Sequence, residues 1–221
     1  MARICIIDYK RGNLASVRRG LSDAGYHAFV SESVEDILSA DGLVLPGVGS
    51  FEDAMGILNE SGQADAIRAA VAKGTPFLGI CLGQQLIYER GNEGCQEGEY
   101  IQGLGLIPGE VVRMPAFDDQ GNKYKVPHVG WNSVSFQGQN PLFQGIPDQS
   151  YFYFTHSYIG VPKDPEDIAG VTTHAQPFAC AVRRGNVFAT QFHPEKSSAT
   201  GLRILANFGA MVQAYAEAKE A

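Results

Sequence analysis

The sequence lacks a long hydrophobic run, a strongly basic segment and any close pair of cysteines. No apolar stretch approaches the roughly 18 residues that a membrane-spanning helix requires, and the N-terminal segment MARICIIDYKRGN contains no cleavable apolar stretch. Lys and Arg number 17 against 24 Asp and Glu, giving a net charge of −7, which argues against nucleic acid or an anionic membrane as a partner. We therefore expect a cytoplasmic protein with neither kind of partner.

The cysteines are too scattered to predict a metal or redox site. None of the four forms a Cys-x-x-Cys pair, so neither a zinc site nor a redox dithiol is predicted, and a disulfide framework is not expected. Cys5 and Cys180 lie within apolar runs, where a cysteine usually serves as a small buried hydrophobic residue. Cys95 lies in a loop rich in Gly and Glu. Only the surroundings of Cys81 indicate chemistry.

The length of 221 residues, 44% of them hydrophobic, predicts one globular domain over residues 1–221. The first half alternates short apolar runs with helical periods, which is typical of βαβ units on a parallel sheet. The second half has strand-like runs separated by turn signals, which predicts an antiparallel elaboration. Strands are predicted at Arg3–Asp8, Tyr26–Val30, Leu43–Leu45, Pro76–Ile80, Gly109–Met114, Lys123–His128, Ser150–Tyr158, Ile168–Thr173, Phe178–Arg183 and Val187–Phe192, and helices at Asn13–Ala24, Phe51–Leu58, Gln63–Ala72 and Gly201–Ala218.

Cys81 stands where an apolar strand is predicted to meet a helix, within Gly79-Ile80-Cys81-Leu82-Gly83. A residue at such a sharp turn has a strained backbone, and the flanking glycines leave room for the turn and for a substrate. The positive end of the following helix favours a thiolate. Cys81 is therefore predicted to be an exposed, activated nucleophile. The alternative is a buried cysteine whose glycine neighbours serve helix–strand packing.

His193-Pro194-Glu195 follows the predicted strand Val187–Phe192. Pro194 favours an extended conformation at His193, and residues two apart in an extended chain point the same way. The carboxylate of Glu195 can therefore reach the imidazole of His193, fix its tautomer and stabilise its protonated form. His193 would then be the general base for Cys81. A surface histidine beside a surface glutamate is the alternative.

A glycine-rich loop, Pro46–Phe51, follows one apolar strand and precedes a helix. It lacks the third glycine of the dinucleotide-binding fingerprint, so a dinucleotide site is disfavoured. Backbone N–H groups in such a loop can instead bind the oxyanion of a tetrahedral intermediate. We expect these donors at Val48 or Gly49 and at Leu82, with Gly47 shaping the loop.

The aromatic run YFYFTHSY at residues 151–158 is predicted to be mostly core, with one end lining the site. His128 and His156 lie in similarly dense surroundings, PHVGWN and YFYFTHSY, whereas His174 is expected at the surface.

Six separated segments carry a family resemblance. Three of them together resemble the class I glutamine amidotransferases: GICLGQQ at 79–85, PGVGSF at 46–51 and ATQFHPEKS at 189–197. Three more are similar to the glutaminase subunits of imidazole glycerol phosphate synthases: IIDYKRGNLASV at 6–17, VPHVGWN at 126–132 and FTHSY at 154–158. The resemblance covers the chain from end to end and implies an α/β amidotransferase fold, with a mostly parallel central sheet flanked by helices and an antiparallel β elaboration in the second half.

The resemblance implies a catalytic triad of Cys81, His193 and Glu195. Cys81 would attack the γ-carboxamide of glutamine to form a γ-glutamyl thioester, while His193 would protonate the leaving ammonia and then activate the hydrolytic water. By their places in the motifs, Gln85 and Glu93 would hold the amino-acid end of glutamine, with Glu93 on its ammonium group. An ordinary helix or loop surface is the alternative for both. No cofactor and no metal is implied.

The resemblance also implies a heterodimer. Ammonia would pass to a (β/α)₈-barrel cyclase subunit, which makes imidazole glycerol phosphate and AICAR in histidine biosynthesis. Asn13, Trp131 and Lys196 are candidate interface residues, and a core position is the alternative for Trp131. Lys10 departs from the family pattern Asp-Tyr-Gly-x-Gly-Asn by replacing its first glycine, so the first turn must tolerate a side chain.

Other functions stay open at this point. The chain could serve another synthase, such as an anthranilate or carbamoyl phosphate synthase, although PHVGWN and HPEKS speak against that. A non-catalytic binding module would be expected to have lost part of the triad, and all three residues are present. A free-standing thiol peptidase or γ-glutamyl hydrolase also fits a Cys-His-Glu site. Whether glutamine hydrolysis depends on a second protein distinguishes that hydrolase from a synthase subunit.

Overall fold

The computed structural model describes residues 2–96 and 98–220. Its strands are β1 (Arg3–Ile7), β2 (His27–Ser31), β3 (Gly42–Gly47), β4 (Phe77–Cys81), β5 (Tyr88–Gly91), β6 (Ile101–Gln102), β7 (Ile107–Arg113), β8 (His128–Phe136), β9 (Ser150–His156), β10 (Tyr158–Pro162), β11 (Ile168–His174), β12 (Gln176–Arg184) and β13 (Val187–Thr190). Its α-helices are α1 (Leu14–Asp23), α2 (Val34–Ser39), α3 (Phe51–Glu60), α4 (Gln63–Ala72), α5 (Leu82–Leu86) and α6 (Ser198–Glu220).

Nine of the strands in the described ranges form one sheet, in the order β2-β1-β3-β4-β13-β12-β11-β8-β9. The pairs from β2 to β13 are parallel, and the pairs from β13 to β9 are antiparallel. The prediction of an α/β fold, with a parallel sheet flanked by helices and an antiparallel elaboration in the second half, is confirmed. A smaller sheet, β10-β7-β5-β6, was not predicted.

The hydrophobic core lies on both faces of the large sheet. Ile4 and Ile6 of β1 pack into a cluster that includes residues of α1 and α6. Cys5 and Ile7 point the other way, into a cluster with residues of α2, α3 and α4. Burial on both faces explains why the parallel strands are continuously apolar in sequence. Helix α6, predicted as Gly201–Ala218, packs against the core through Leu205, Phe208 and Val212, whereas Leu202 is exposed.

One predicted strand is wrong in position. Residues Lys123–His128 do not form a strand of a sheet; Lys123 makes a single bridge to Phe117, and the ladder begins only at His128 as β8. Pro127 has no N–H to donate to a neighbouring strand, so regular pairing starts after it.

The turn after β1 departs from expectation in one detail. The helix predicted from Asn13 begins at Leu14, and within the described part of the chain the Asn13 side chain makes no capping hydrogen bond. Lys10 adopts a left-handed backbone with φ of 65°, the conformation that a glycine would take most easily. The turn therefore keeps a glycine-like shape while carrying a lysine, whose ammonium pairs with Glu32.

In the two ranges that the structure describes, no helix has both the length and the apolar character needed to cross a membrane.

Candidate active site

Cys81 occupies a strained turn between β4 and α5. Its backbone has φ of 55° and ψ of −107°, a region that residues with a Cβ rarely adopt. A Cβ on Gly79 would lie 2.6 Å from the carbonyl oxygen of Gly83, and one on Gly83 would lie 1.8 Å from that of Leu45. The turn can therefore form only with glycine at both positions, as the spacing of the motif predicts.

The sulfur of Cys81 lies in the wall of a cavity rather than at the surface. Cys81 is 6% exposed, so the prediction of an exposed thiol is wrong. The cavity beside it has a volume of about 300 Å³. The Sγ lies 3.8 Å from the carbonyl oxygen of Thr155 and 3.8 Å from Nε2 of Gln191. Substrate would therefore have to enter the cavity to meet the thiol.

His193 and Glu195 form a buried pair. The Nδ1–H of His193 donates to Oε1 of Glu195 at 2.9 Å, and the two side chains are 2% and 1% exposed. Burial by itself lowers the pKa of His193, but its interactions with Cys81 and Glu195 outweigh burial and raise the pKa to about 9. Nε2 has no hydrogen-bond partner of normal geometry within the described residues. That nitrogen is thus available for proton transfer at the Cys81 sulfur.

The backbone of His193 is fixed from both sides. Its N–H donates to the carbonyl oxygen of Tyr153 at 3.0 Å, and its carbonyl accepts from the Ser197 hydroxyl at 2.6 Å. Pro194 begins a 3₁₀ turn that ends at Lys196 and brings Glu195 back under the ring. The backbone of His193 is therefore held by Tyr153 and Ser197, and its imidazole by Glu195.

Most of the predicted binding residues surround one cavity. Its lining residues include Cys81 and five predicted binding residues, namely Val48, Gly49, Leu82, Gln85 and Glu93. Gly47, the sixth predicted binding residue, is next to this lining, because it pairs with Cys81 in the β3–β4 ladder. The structure thus brings together segments that are far apart in sequence, at the carboxyl ends of two adjacent parallel strands.

Gln85 and Glu93 are both held by hydrogen bonds. Nε2 of Gln85, a buried side chain, donates to the carbonyl oxygen of Tyr158 and to Oε1 of Gln191, each at 3.0 Å. Oε2 of Glu93 accepts from the N–H of Phe51, at the start of α3, at 2.7 Å. Burial raises the pKa of the half-buried Glu93 carboxyl, and the Phe51 hydrogen bond opposes that rise. A carboxylate in this position suits a cationic group in the cavity.

Gln191 is a site residue that the sequence reasoning missed. It is fully buried and connects Gln85 to the sulfur of Cys81 through its two amide atoms. A polar residue two positions before a predicted base, in the mostly apolar predicted strand Val187–Phe192, was the available signal. The aromatic run ends as expected at the site, because Thr155 to Tyr158 line the cavity.

Two uncharged histidines, His128 and His156, form hydrogen bonds at the segment from Thr155 to Tyr158 that lines the cavity. Nδ1 of His156 donates to the carbonyl oxygen of Tyr158 at 2.9 Å, so its Nε2 can accept from Nδ1 of His128 at 3.0 Å. Burial lowers the pKa of His156 to about 3 and that of His128 to about 4, with His174 stacked on His128. Both rings are therefore uncharged at neutral pH.

The three predicted interface residues lie at or near the surface. Trp131 is 51% exposed, so the alternative of a core position is wrong. Two other exposed apolar residues, Val129 and Tyr151, lie on the same strand pair, β8 and β9. Lys196 is exposed, with Nζ 5.9 Å from the centre of the Tyr153 ring. Asn13 is half-buried in the turn before α1.

The residues that the structure describes contain no cluster of three or more His, Cys, Asp or Glu side chains placed to hold a metal ion.

Comparison with known proteins identifies related chains. A family model described as glutamine amidotransferase class-I matches residues 5–212. The chain is 47% identical to the imidazole glycerol phosphate synthase subunit HisH of Moorella thermoacetica, over 96% of this chain and 97% of that one. It is 48% identical to the subunit of the same name from Syntrophotalea carbinolica, over 94% of this chain and 100% of that one.

Solved structures share the fold at lower identity. The chain has a TM-score of 0.69 and 18% identity with PurLQS from Thermotoga maritima, covering 98% of this chain and 100% of that one. A glutamine amidotransferase from Thermotoga maritima gives a TM-score of 0.63 at 17% identity, covering 99% of this chain and 84% of that one. At such identities the likeness concerns the fold alone.

Proposed function

The chain belongs to the class I glutamine amidotransferases, and from that membership we propose that it is the glutaminase subunit of an imidazole glycerol phosphate synthase in histidine biosynthesis. The observation that carries the proposal is the strained Cys81 turn at the cavity, with the buried His193–Glu195 pair within reach of its sulfur. Relatives with the synthase-subunit name match over nearly the whole chain. The domain would span residues 1–221, in the cytoplasm.

Glutamine hydrolysis would proceed through a thioester. The thiolate of Cys81 attacks the carbonyl carbon of the γ-carboxamide of glutamine, and the protonated Nε2 of His193 gives its proton to the departing nitrogen, which leaves as ammonia. His193 then takes a proton from water, which attacks the γ-glutamyl thioester and releases glutamate. A general base of this kind contributes about 10²–10⁴-fold in rate. Glu195 accepts from the Nδ1–H of His193 and so holds that proton in place. Nε2 is then the nitrogen that takes up and releases the mobile proton.

Backbone donors would stabilise the oxyanion. Leu82 follows Cys81 directly, and Val48 and Gly49 line the same cavity, so the N–H groups of these residues are the donors available. Each such donor is worth about 3 kcal/mol of transition-state stabilisation. Gly49 has φ of 107°, so the loop has conformational freedom that a docked partner can use to set these donors.

The amino-acid end of glutamine would bind at the far end of the cavity. Glu93 offers a carboxylate to the ammonium group, and Gln85 offers its amide. Gln191 restrains Gln85 from the other side. Because these groups hold the part of glutamine that does not react, their loss would raise KM more than it lowers kcat.

Ammonia would be delivered to a (β/α)₈-barrel cyclase subunit. The surface around Trp131, Val129 and Tyr151 is apolar and exposed, which suits a protein partner. Asn13 and Lys196 would border that contact. The cyclase would use the ammonia to make imidazole glycerol phosphate and AICAR.

Substitution of Cys81 by Ala tests the proposal. We expect Cys81→Ala to fold, to lose glutamine-dependent synthesis of imidazole glycerol phosphate in the complex, and to support that synthesis at the wild-type rate when ammonium salt is supplied. Cys5→Ala is the matched control, because burial raises the pKa of the Cys5 thiol to about 12 and leaves it unreactive. Glutamine-dependent synthesis by the Cys81→Ala complex would refute the assignment.

A further inference from the structure

Tyr9 carries a buried hydroxyl that the mechanism above does not use. The residue follows β1 and is 1% exposed. Its hydroxyl has no hydrogen-bond partner among the described residues. Burying an unpaired hydroxyl is costly, and a phenylalanine at this position would avoid the cost. The hydroxyl is therefore expected to have a partner in another state of the protein.

The hydroxyl lies against the backbone of the expected oxyanion site. A Cβ built on Gly47 would lie 2.0 Å from Oη of Tyr9 and 2.9 Å from Cβ of Leu82. The Tyr9 hydroxyl thus fills the space that a side chain on Gly47 would need, beside the residue that follows the nucleophile. Gly47 also pairs with Cys81 across the β3–β4 ladder.

Other residues of the same turn contact the rest of that loop. A Cβ on Gly12 would lie 3.0 Å from the carbonyl oxygen of Pro46, and one on Gly49 would lie 3.8 Å from Cδ of Arg11. The turn after β1 therefore backs the loop from Pro46 to Gly49 along its length. Tyr9 contributes to this turn a hydroxyl donor that has no hydrogen-bond partner among the described residues.

The chemistry of the hydroxyl fits a backbone acceptor. Burial, and to a smaller extent the nearby Cys81, raises the pKa of Tyr9, so its oxygen stays protonated and able to donate. The backbone of Gly47 is close to this hydroxyl, since a Cβ on Gly47 would lie 2.0 Å from it. Because Gly47 has no side chain, its backbone torsions are less restricted than those of other residues, which favours a turn of the peptide between Gly47 and Val48.

We propose that Tyr9 is a positioning residue whose hydroxyl donates a hydrogen bond to the carbonyl of Gly47 when the Gly47–Val48 peptide turns its N–H toward the substrate oxygen. The carbonyl and the N–H of one peptide point in opposite directions, so holding the carbonyl at Tyr9 directs the N–H of Val48 into the cavity. This inference rests on the proposed glutaminase function. It assigns one hydrogen bond to the conformation of the loop that stabilises the oxyanion.

Replacement of Tyr9 by Phe removes the hydroxyl alone. In the complex with the cyclase subunit, we expect Tyr9→Phe to lower kcat for glutamate release at least tenfold with KM within twofold of wild type. The thermal midpoint should equal or exceed that of wild type, because an unpaired buried hydroxyl is gone. Alkylation of Cys81 by iodoacetamide, followed by mass spectrometry of its peptide, should keep its rate, since that reaction develops no oxyanion.

Tyr88→Phe is the matched control. Tyr88 is also fully buried, but its hydroxyl already accepts a hydrogen bond from Nε2 of Gln84 at 3.4 Å. We expect this variant to lose some thermal stability and to keep wild-type kcat. Tyr9 replaced by 4-aminophenylalanine keeps a donor at the same place and should restore most of the kcat lost in Tyr9→Phe.

A wild-type kcat in Tyr9→Phe would overturn the inference while leaving the glutaminase assignment intact. A lowered kcat accompanied by slower alkylation of Cys81 or by a lower thermal midpoint would also overturn it, because that pattern indicates a structural role. Absence of glutamate release from the wild-type complex would instead refute the proposed function itself.

Discussion

Cys81 combines backbone strain with chemistry at a single residue. Strained backbone conformations of this kind cost about 1–3 kcal/mol each and persist where the surrounding fold enforces them. Here the ladder to β3 on one side and the glycines of the turn on the other hold the backbone at φ of 55°. The thiol of Cys81 is thus presented to the cavity at a cost in stability.

That cost can be measured with two variants of Cys81. Cys81→Gly relieves the strain, whereas Cys81→Ala keeps the Cβ that causes it. We expect the Gly variant to be more stable than the Ala variant by about 1 kcal/mol in urea unfolding, since the strain relieved exceeds the entropy that glycine loses on folding. An Ala variant as stable as the Gly variant would show that the turn is unstrained.

Glu195 should set the alkaline limit of glutamine hydrolysis. Its carboxylate is one of the two groups that raise the pKa of His193 to about 9. The imidazolium that protonates the leaving ammonia is lost as the pH rises through that value. Glu195→Gln removes the negative charge, so the alkaline limb of the kcat/KM profile should move to lower pH, by about one unit. The profile is measured by glutamate release between pH 6 and 10, and an unmoved limb contradicts the assigned pair.

At the scale of elements, the β8–β9 hairpin carries two histidines that are neutral when folded. An unperturbed histidine has a pKa near 6.5, whereas burial lowers that of His128 to about 4 and that of His156 to about 3. As the pH falls below about 6.5, the unfolded chain binds protons that the folded chain does not. Stability should therefore fall progressively between about pH 6.5 and pH 4.

One substitution isolates the contribution of His128. Asn retains a donor near the position of Nδ1, so His128→Asn can keep the bond to His156 while removing one titrating group. We expect the pH dependence of unfolding free energy below pH 6.5 to become shallower by up to about 1.4 kcal/mol per pH unit. Urea unfolding at pH 4.5 to 7.5 measures it, with His27→Asn, at an exposed position, as the control. An unchanged slope would contradict burial as the cause.

The elements differ in how well the sequence predicts them. Strands β1, β3 and β4 are buried on both faces and read as short apolar runs, so their positions follow from composition. The short α2, β5 and β6 give too few residues for a period to show, and their positions depend on packing. The start of β8 is predicted wrongly because the alternating pattern Lys-Tyr-Lys-Val before Pro127 looks the same with or without a strand partner.

The site was predictable where local backbone rules apply. The glycines around Cys81 and the His-Pro-Glu spacing both constrain geometry within a few residues. Gln191 and Tyr9 act through contacts with residues 110 and 38 positions away in sequence, as shown by the Gln191–Cys81 contact and the Tyr9–Gly47 approach. Single-sequence patterns carry no signal for such pairings, which only the fold reveals.

At the scale of the whole molecule, the antiparallel half of the sheet places an apolar surface beside the catalytic cavity. Strand β9 is at the edge of the sheet and leads through Thr155 and His156 into the cavity wall. A partner bound on β8 and β9 would therefore lie close to the site of ammonia release. Under the proposed function, one small exposed surface would serve both docking and delivery.

Trp131 should dominate that docking. Exposed aromatic residues often act as binding hot spots, whose truncation costs about 2 kcal/mol or more, which is about 30-fold in affinity. We expect Trp131→Ala to raise the Kd for the cyclase subunit by that factor and to leave the unfolding transition of the isolated chain unchanged. Leu38→Ala, at a residue 41% exposed on α2, is the control. Calorimetric titration showing equal affinity for both variants would remove Trp131 from the interface.

The most direct test of the account is the rate of glutamate release from glutamine, measured for the chain alone and then with the cyclase subunit and its nucleotide ligand. The account predicts a low rate for the isolated chain and a strong increase in the complex, because the loop at Val48 and Gly49 is completed by docking. A high rate that the cyclase and its ligand leave unchanged would contradict it and indicate a self-sufficient hydrolase.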